Sequence, residues 1–104
     1  MSSSAPREWE VNISGNGPAG LVHYREGQHS ASFPWEFVVG HTLAMITVGH
    51  SSDWVHVVPW AAERRDVVLQ RVAEEVLRQK APSCEAVVDE TRGCILINPK
   101  WPAA

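Results

Sequence analysis

The sequence predicts an α+β fold in which a single antiparallel sheet of about five to six strands carries one long helix on one face. Three observations predict it. Apolar and polar residues alternate with a period of two in much of the first half of the chain. A helical pattern, with apolar residues three and four positions apart, follows between Pro59 and Pro82. Two short apolar runs around a turn signal end the chain. The predicted element order is β-β-β-β-α-β-β.

The length and composition of the chain predict one domain. The chain has 104 residues, of which 44% are hydrophobic and 20% charged. That is enough apolar material for a core without metal or disulfide support. We expect a single domain over 1–104, with mobile tails at about 1–7 and 99–104. The most unusual number is the tryptophan count, five against two Phe and one Tyr.

Charge and hydropathy argue against several classes of partner. Nine basic and twelve acidic residues give a net charge of −3, which would not concentrate a polyanion, so we expect no nucleic-acid partner. No apolar run is long enough to cross a bilayer, and the first residues lack the apolar core of a signal peptide. We therefore expect a cytoplasmic protein with no membrane partner.

The first strand is predicted at Trp9, Val11 and Ile13, which alternate with polar residues and so share one face. Residues 14–20 contain three Gly and one Pro, and they end this strand. The loop lacks the Lys and Ser/Thr of a phosphate-binding loop and precedes a strand, so we interpret it as a turn.

The clearest alternation covers residues 29–37, with apolar or aromatic side chains at odd positions. A hairpin with its two-residue tip at 26–27 pairs Tyr24 with His29 and brings the apolar sets of both strands to one face. Pro34 lacks an amide hydrogen, which predicts an edge or a bulge at that position.

A fourth strand and the long helix follow. The run 43–48 is apolar at nearly every position, which is typical of a central strand covered on both faces. In the helix, Pro59 suits the first turn and Pro82 ends it. Glu74 and Arg78 are spaced as an i,i+4 ion pair on its polar face.

The last two strands are predicted at 84–89 and 94–98, on either side of a type I turn signal at 90–93. Folding the hairpin there does not place Cys84 opposite Cys94. We therefore predict two free thiols that line the core.

The sequence offers no strong chemical motif. His41, His50 and His56 have spacings that match no known zinc pattern, so we predict no metal site and no cofactor. The two cysteines follow the C-terminal end of the helix, where the dipole raises the pKa of a thiol. An enzyme is therefore not the favoured interpretation.

The segment 53–60, Asp-Trp-Val-His-Val-Val-Pro-Trp, is unusually apolar for a connection. It either packs on the core, which is the simpler interpretation, or contacts a partner, because Trp and Arg are enriched at interface hot spots. We hypothesise a small protein-binding or assembly module, with a homodimer as the simplest version and an exposed sheet edge as another route of contact. The candidate binding residues are Trp54, His56, Trp60, Arg64 and Arg65.

The alternative hypothesis is a small-ligand-binding or enzymatic domain with a pocket between sheet and helix. Its candidate residues are Trp35, Phe37 and Met45, with His41 or His56 at the mouth. A cavity with convergent polar groups would favour this hypothesis, whereas a sheet packed solid against the helix would exclude it.

Overall fold

A computed structural model describes residues 8–15, 17–38, 40 and 42–100. They form one six-stranded antiparallel sheet with helices, so the predicted α+β class with a single sheet is confirmed. The predicted element order needs one correction, because the chain has a second, short helix before the long one. The elements are β1 (Trp9–Ser14), β2 (Ala19–Glu26), β3 (His29–Phe37), β4 (Ala44–Thr47), α1 (Ser51–Val57), a 3₁₀ turn (Pro59–Ala61), α2 (Arg65–Lys80), β5 (Cys84–Asp89) and β6 (Cys94–Pro99).

The strand order in the sheet is β1-β2-β3-β4-β6-β5, so that β1 and β5 are the edge strands. Helix α2 contacts both edges, which means that the sheet curls around it. The inner face of the sheet, the two helices and the 3₁₀ turn enclose one hydrophobic core. Its largest fully buried side chains are Tyr24, Ile46, Ile95 and Ile97.

The β2–β3 hairpin turns at Gly27-Gln28, not at 26–27 as predicted. Glu26 pairs with His29, and Gly27 has the positive φ of +61° that the first position of a type II′ turn requires. The register differs from the predicted one by two residues. Because side chains alternate with a period of two, the same residues still face the core.

Strand β4 is central, as predicted, but it is covered on one face only. It pairs with β3 and β6, and Ile46 points into the core while Thr47 is exposed. The pairing of β3 with β4 begins at Trp35, immediately after Pro34. At Pro34 strand β3 therefore has a single neighbour, which accommodates a residue without an amide hydrogen.

The C-terminal hairpin has the predicted register, with Cys84 opposite Pro99 and Cys94 opposite Asp89. Both thiols are free and buried, as predicted. Burial raises the pKa of the Cys94 thiol, and the nearby Asp89 carboxylate raises it further. This thiol is therefore a poor nucleophile.

The long helix differs from the prediction in two details. It begins at Arg65, and Pro59 starts the preceding 3₁₀ turn instead. Arg78 pairs with Glu75 rather than with Glu74, at 2.8 Å. Glu75 is buried although the helical pattern assigned it to the polar face, and its hydrogen bonds with Arg78 and Gln79 compensate for that burial.

The outer face of the sheet carries no helix in the part of the chain that the structure describes. A row of apolar side chains crosses it: Leu21, Pro34, Met45, Leu96 and Val87. None of the described helices is long and apolar enough to cross a membrane. Of the expected tails, 1–7 and 99–104, residues 1–7 and 101–104 lie outside the described residues, whereas Pro99 is the last residue of β6.

Candidate functional site

Trp54, the first of the predicted binding residues, belongs to the core. Only 2% of it is exposed. Its indole N–H donates to the carbonyl oxygen of Ala61 at 2.8 Å, and its ring stacks against Phe33 with a centroid distance of 6.1 Å. The Trp54 side chain thus anchors helix α1 to the sheet.

Arg65 fastens the start of α2 to two loops. Its guanidinium lies 5.1 Å from the centroid of the Trp54 ring, and its Nη2 donates to the Gly49 carbonyl at 2.9 Å. The same nitrogen lies 2.8 Å from the Glu90 carboxylate. This hydrogen bond lowers the pKa of Glu90. The contacts of Arg65 are therefore all internal ones that hold the fold together.

Trp60 is half-buried in a row of stacked rings. It lies between Tyr24, at 6.1 Å, and His29, at 5.0 Å between ring centroids. Tyr24 also stacks against Trp9, and the guanidinium of Arg71 lies over the Trp9 ring, 5.1 Å from its centroid. The row joins the 3₁₀ turn to β1, β2 and β3.

Arg64 contacts the polar end of that row. It forms an ion pair of 2.7 Å with Glu26, and the hydrogen bond that it donates is the largest cause of the lowered pKa of this carboxyl. The Tyr24 hydroxyl donates to Glu26 at 2.8 Å and accepts from Arg71 at 2.9 Å. Burial raises the pKa of Tyr24, so the phenol stays neutral. The group is a satisfied network inside the fold.

The structure therefore brings four of the five predicted binding residues into internal contacts. The fifth, His56, is exposed on α1. It lies between Val55 and Val57, which are 48% and 62% exposed. The outward side of α1 is small and apolar, with a single imidazole at its centre.

The residues predicted for the alternative pocket do not all lie at one site. Trp35 and Phe37 line a cavity of about 270 Å³ between the inner face of the sheet and the C-terminal end of α2. Met45 faces the other side of the sheet, because its neighbour Ile46 points into the core. His41 lies outside the described residues, and His56 does not line this cavity. We call it the Trp35 pocket.

A larger concave surface lies between α2 and the edge strand β5, and we call it the β5 groove. It encloses about 760 Å³. Its apolar floor consists of Leu69, Ala73 and Leu77 from α2 with Ala86 and Val88 from β5. The sequence does not predict the β5 groove, because the groove depends on the distance between α2 and β5 and not on the apolar pattern of the helix or of the strand alone.

The rim of the β5 groove is acidic. Asp66 and Glu74 border it from the helix and Glu85 from the strand. None of the three forms an ion pair with another described residue. Lys100 and Arg78 also border the groove, but Arg78 is paired with Glu75.

The two edges of the sheet differ. At β1 the side-chain amide of Gln79 donates to the Val11 carbonyl at 2.9 Å, so the helix satisfies part of that edge. Strand β5 pairs with β6 only, and no side chain of the described residues bonds to its backbone from the open side. Exposed Val87 and Val88 flank this free edge. Unpaired strand edges of this kind are templates for another strand.

One arrangement on the outer face has the distances of a nucleophile and a base. Ser14 Oγ lies 2.9 Å from His23 Nε2, and Ser32 Oγ lies 2.8 Å from His23 Nδ1. The three side chains lie on adjacent strands of an open sheet face; His23 and Ser32 line neither cavity, and Ser14 alone of the three is among the residues that line the Trp35 pocket. A substrate would find no walls there to position it, so the geometry favours a cross-strand hydrogen-bond ladder.

Metal binding has no support from the described residues, among which no three His, Cys, Asp or Glu side chains lie close enough to share an ion. Comparisons with models of known protein families, with curated proteins and with solved structures found no match to this chain.

Proposed function

We propose that this protein is a small cytoplasmic protein-binding module that adds an extended segment of its partner to the β5 edge, with the partner's side chains in the β5 groove. The observation that carries the proposal is the combination of a free strand edge with an adjoining apolar groove. Main-chain hydrogen bonds would supply affinity, and the groove would select side chains. The two free thiols agree with a reducing compartment.

The charge of the groove supports a basic partner. Side chains of a bound strand alternate between the inner and the outer face of the sheet. Those on the inner face would lie against Leu69 and Ala73, whereas those on the outer face would lie beside Glu85. Since none of the three rim carboxylates forms an ion pair with another described residue, we propose a partner segment in which apolar and basic residues alternate.

A second copy of this chain is a poorer partner for the same edge. Consider two β5 strands, one from each chain, that pair antiparallel about a two-fold axis. Because paired residues lie on the same face of the sheet, the residue at the axis must lie opposite its own copy in the other chain. With Val87 opposite its own copy, Glu85 of each chain lies opposite Asp89 of the other. With Ala86 at the axis, Glu85 of one chain lies diagonally across from Glu85 of the other, and with Val88 at the axis the same holds for Asp89. Each register opposes like charges.

The test is titration of the protein with a short peptide of alternating Lys and Val, measured by calorimetry and by hydrogen exchange. We expect binding in the micromolar range or weaker, as for small interfaces, and slower exchange of the β5 amides. A peptide of alternating Glu and Val should not bind, because the rim repels it.

Two matched variants locate the interaction. Val88→Arg should weaken peptide binding by at least about tenfold, which is about 1.4 kcal/mol, because it places a charge in the groove. Val55→Arg makes the same change at a similarly exposed valine of α1, 48% against 41%, and should bind like the unchanged protein. Equal binding by both variants, or unchanged exchange throughout β5, would contradict the proposal.

A further inference from the structure

The Trp35 pocket is separate from the β5 groove, and the two share no lining residue. Its floor is made of buried core side chains, among them Val22, Ile46 and Val76. Trp35 and Phe37 form its wall, with their rings edge to face at 68° and 5.3 Å apart. The cavity is thus an apolar space with aromatic walls, a common form of small-ligand site.

The position of the aromatic wall is set by the backbone beneath it. The Trp35 indole N–H donates to the Ser14 carbonyl at 3.0 Å. Gly20 makes this possible, since a Cβ at that position would lie 1.9 Å from the Ser14 oxygen and 2.8 Å from Trp35 Nε1. The hydrogen bond fixes the ring in place, so the pocket exists before any ligand arrives.

One charge lies at the pocket. Lys80, in the last turn of α2, is the single charged residue among those that line it. Its ammonium forms no hydrogen bond or ion pair with any other residue that the structure describes. The helix end supplies about half a negative charge, which the full positive charge of Lys80 outweighs. The pocket therefore favours an anion.

We propose that the Trp35 pocket binds a small aromatic carboxylic acid, with its ring against Trp35 and Phe37 and its carboxylate at Lys80. At the packing density of protein interiors, about 270 Å³ of space holds about 200 Å³ of ligand. That suits an acid with one or two rings and excludes a long-chain lipid. Ring contacts add to simple burial, which favours an aromatic body over an aliphatic one.

The test uses 1-naphthoate and its uncharged analogue 1-naphthalenemethanol as probes of the full chain, with calorimetry as the readout. We expect naphthoate to bind one site with a dissociation constant between about 10 µM and 1 mM, a range set by its size. Lys80→Met should weaken naphthoate binding by about tenfold and leave binding of the alcohol unchanged. Lys100→Met, at the other lysine of the chain, should change neither.

A second variant tests the location. Ala44 lines the pocket, and Ala44→Ile adds volume within it on a strand that tolerates β-branched residues. It should abolish naphthoate binding while circular dichroism shows an unchanged fold. Three results would each overturn the proposal: no binding up to millimolar naphthoate, equal binding by Lys80→Met, or equal binding by a folded Ala44→Ile.

Discussion

At the scale of single residues, the side chains that look most suited to binding are used inside the molecule. Trp54 is nine-tenths or more buried, and its indole N–H satisfies a backbone carbonyl. Arg64 and Arg65, adjacent in the chain, bind two different carboxylates, Glu26 and Glu90. A Trp–Arg cluster in a sequence is therefore equally compatible with a hot spot and with the junction between two helices.

Removal of Trp54 should affect stability and not mass. We expect Trp54→Ala to lower the free energy of unfolding by about 3–5 kcal/mol, since it opens a cavity and removes one of the two hydrogen bonds that the Ala61 carbonyl accepts, the other coming from the Arg64 amide. Val55→Ala, at the exposed neighbour, should cost less than about 0.5 kcal/mol. Denaturant titration and light scattering measure both quantities. Conversion of a dimer to a monomer by Trp54→Ala would instead favour an interface at this residue.

Glu26 should make stability depend on pH. The hydrogen bond from Arg64 lowers its pKa below 4.5 in the folded protein, so its contribution is complete above that value and is lost as the pH falls through the lowered folded-state pKa. Both side chains are partly exposed, so solvent screening keeps this contribution small. We expect Glu26→Gln to be less stable than the unchanged protein at pH 7, and the two to converge in acid. Parallel pH profiles from denaturant titrations would contradict this.

At the scale of elements, one glycine holds the β5–β6 hairpin against the start of α1. The Gly93 carbonyl accepts hydrogen bonds from the amides of Val48 and Gly49, at 3.0 and 2.9 Å. Gly93 has a φ of +68°, and a Cβ there would lie 2.7 Å from the carbonyl carbon of Gly49. The turn therefore requires glycine both for its conformation and for the close approach of two backbones.

Comparison with Gly27 separates these two requirements. Gly27 has a similar φ of +61°, but a Cβ there would meet nothing within 4 Å. We expect Gly27→Ala to cost about 1 kcal/mol for conformation alone, and Gly93→Ala to cost about 1–3 kcal/mol more for the clash. Thermal or denaturant unfolding of the two variants provides the measurement. If the two variants lose the same free energy of unfolding, the Gly49 backbone moves aside without cost.

The same scale shows how far sequence patterns predict this fold. Period-two alternation identifies β1 to β3, because their inner residues meet a core and their outer residues do not. Ser and Asp at 51–53 indicate a short helical turn, but the predicted element order lacks helix α1, because the segment is short and rich in valine. The Trp35 pocket is predicted in part, through its aromatic wall. Lys80 is missed because a lysine in a last helical turn ordinarily complements the dipole.

At the scale of the whole molecule, the curled sheet leaves two unequal edges, and the acidic one should keep the protein from pairing with itself. Like charges opposite each other destabilise a strand pair, and edge charges are a common means of preventing sheet extension. We therefore expect light scattering to give the mass of a monomer, 11.5 kDa, at high protein concentration. A stable dimer of the unchanged chain would show that another surface, such as the apolar row on the outer face, mediates association.

Reversal of one edge charge should create the dimer. In the two-fold register with Val87 opposite its own copy, Glu85→Lys places a lysine opposite Asp89 of the other chain at two symmetric positions. Two repulsions become two attractions, and exposed Val87 contributes an apolar contact at the axis. We expect the mass of Glu85→Lys to rise with concentration toward twice that of the monomer, and high salt to reverse the change. Glu63→Lys has the same net charge but lies away from the edge, and it should remain monomeric. If Glu85→Lys also remains monomeric, the edge is protected by something other than its charge, and the argument for a basic partner strand loses its main support.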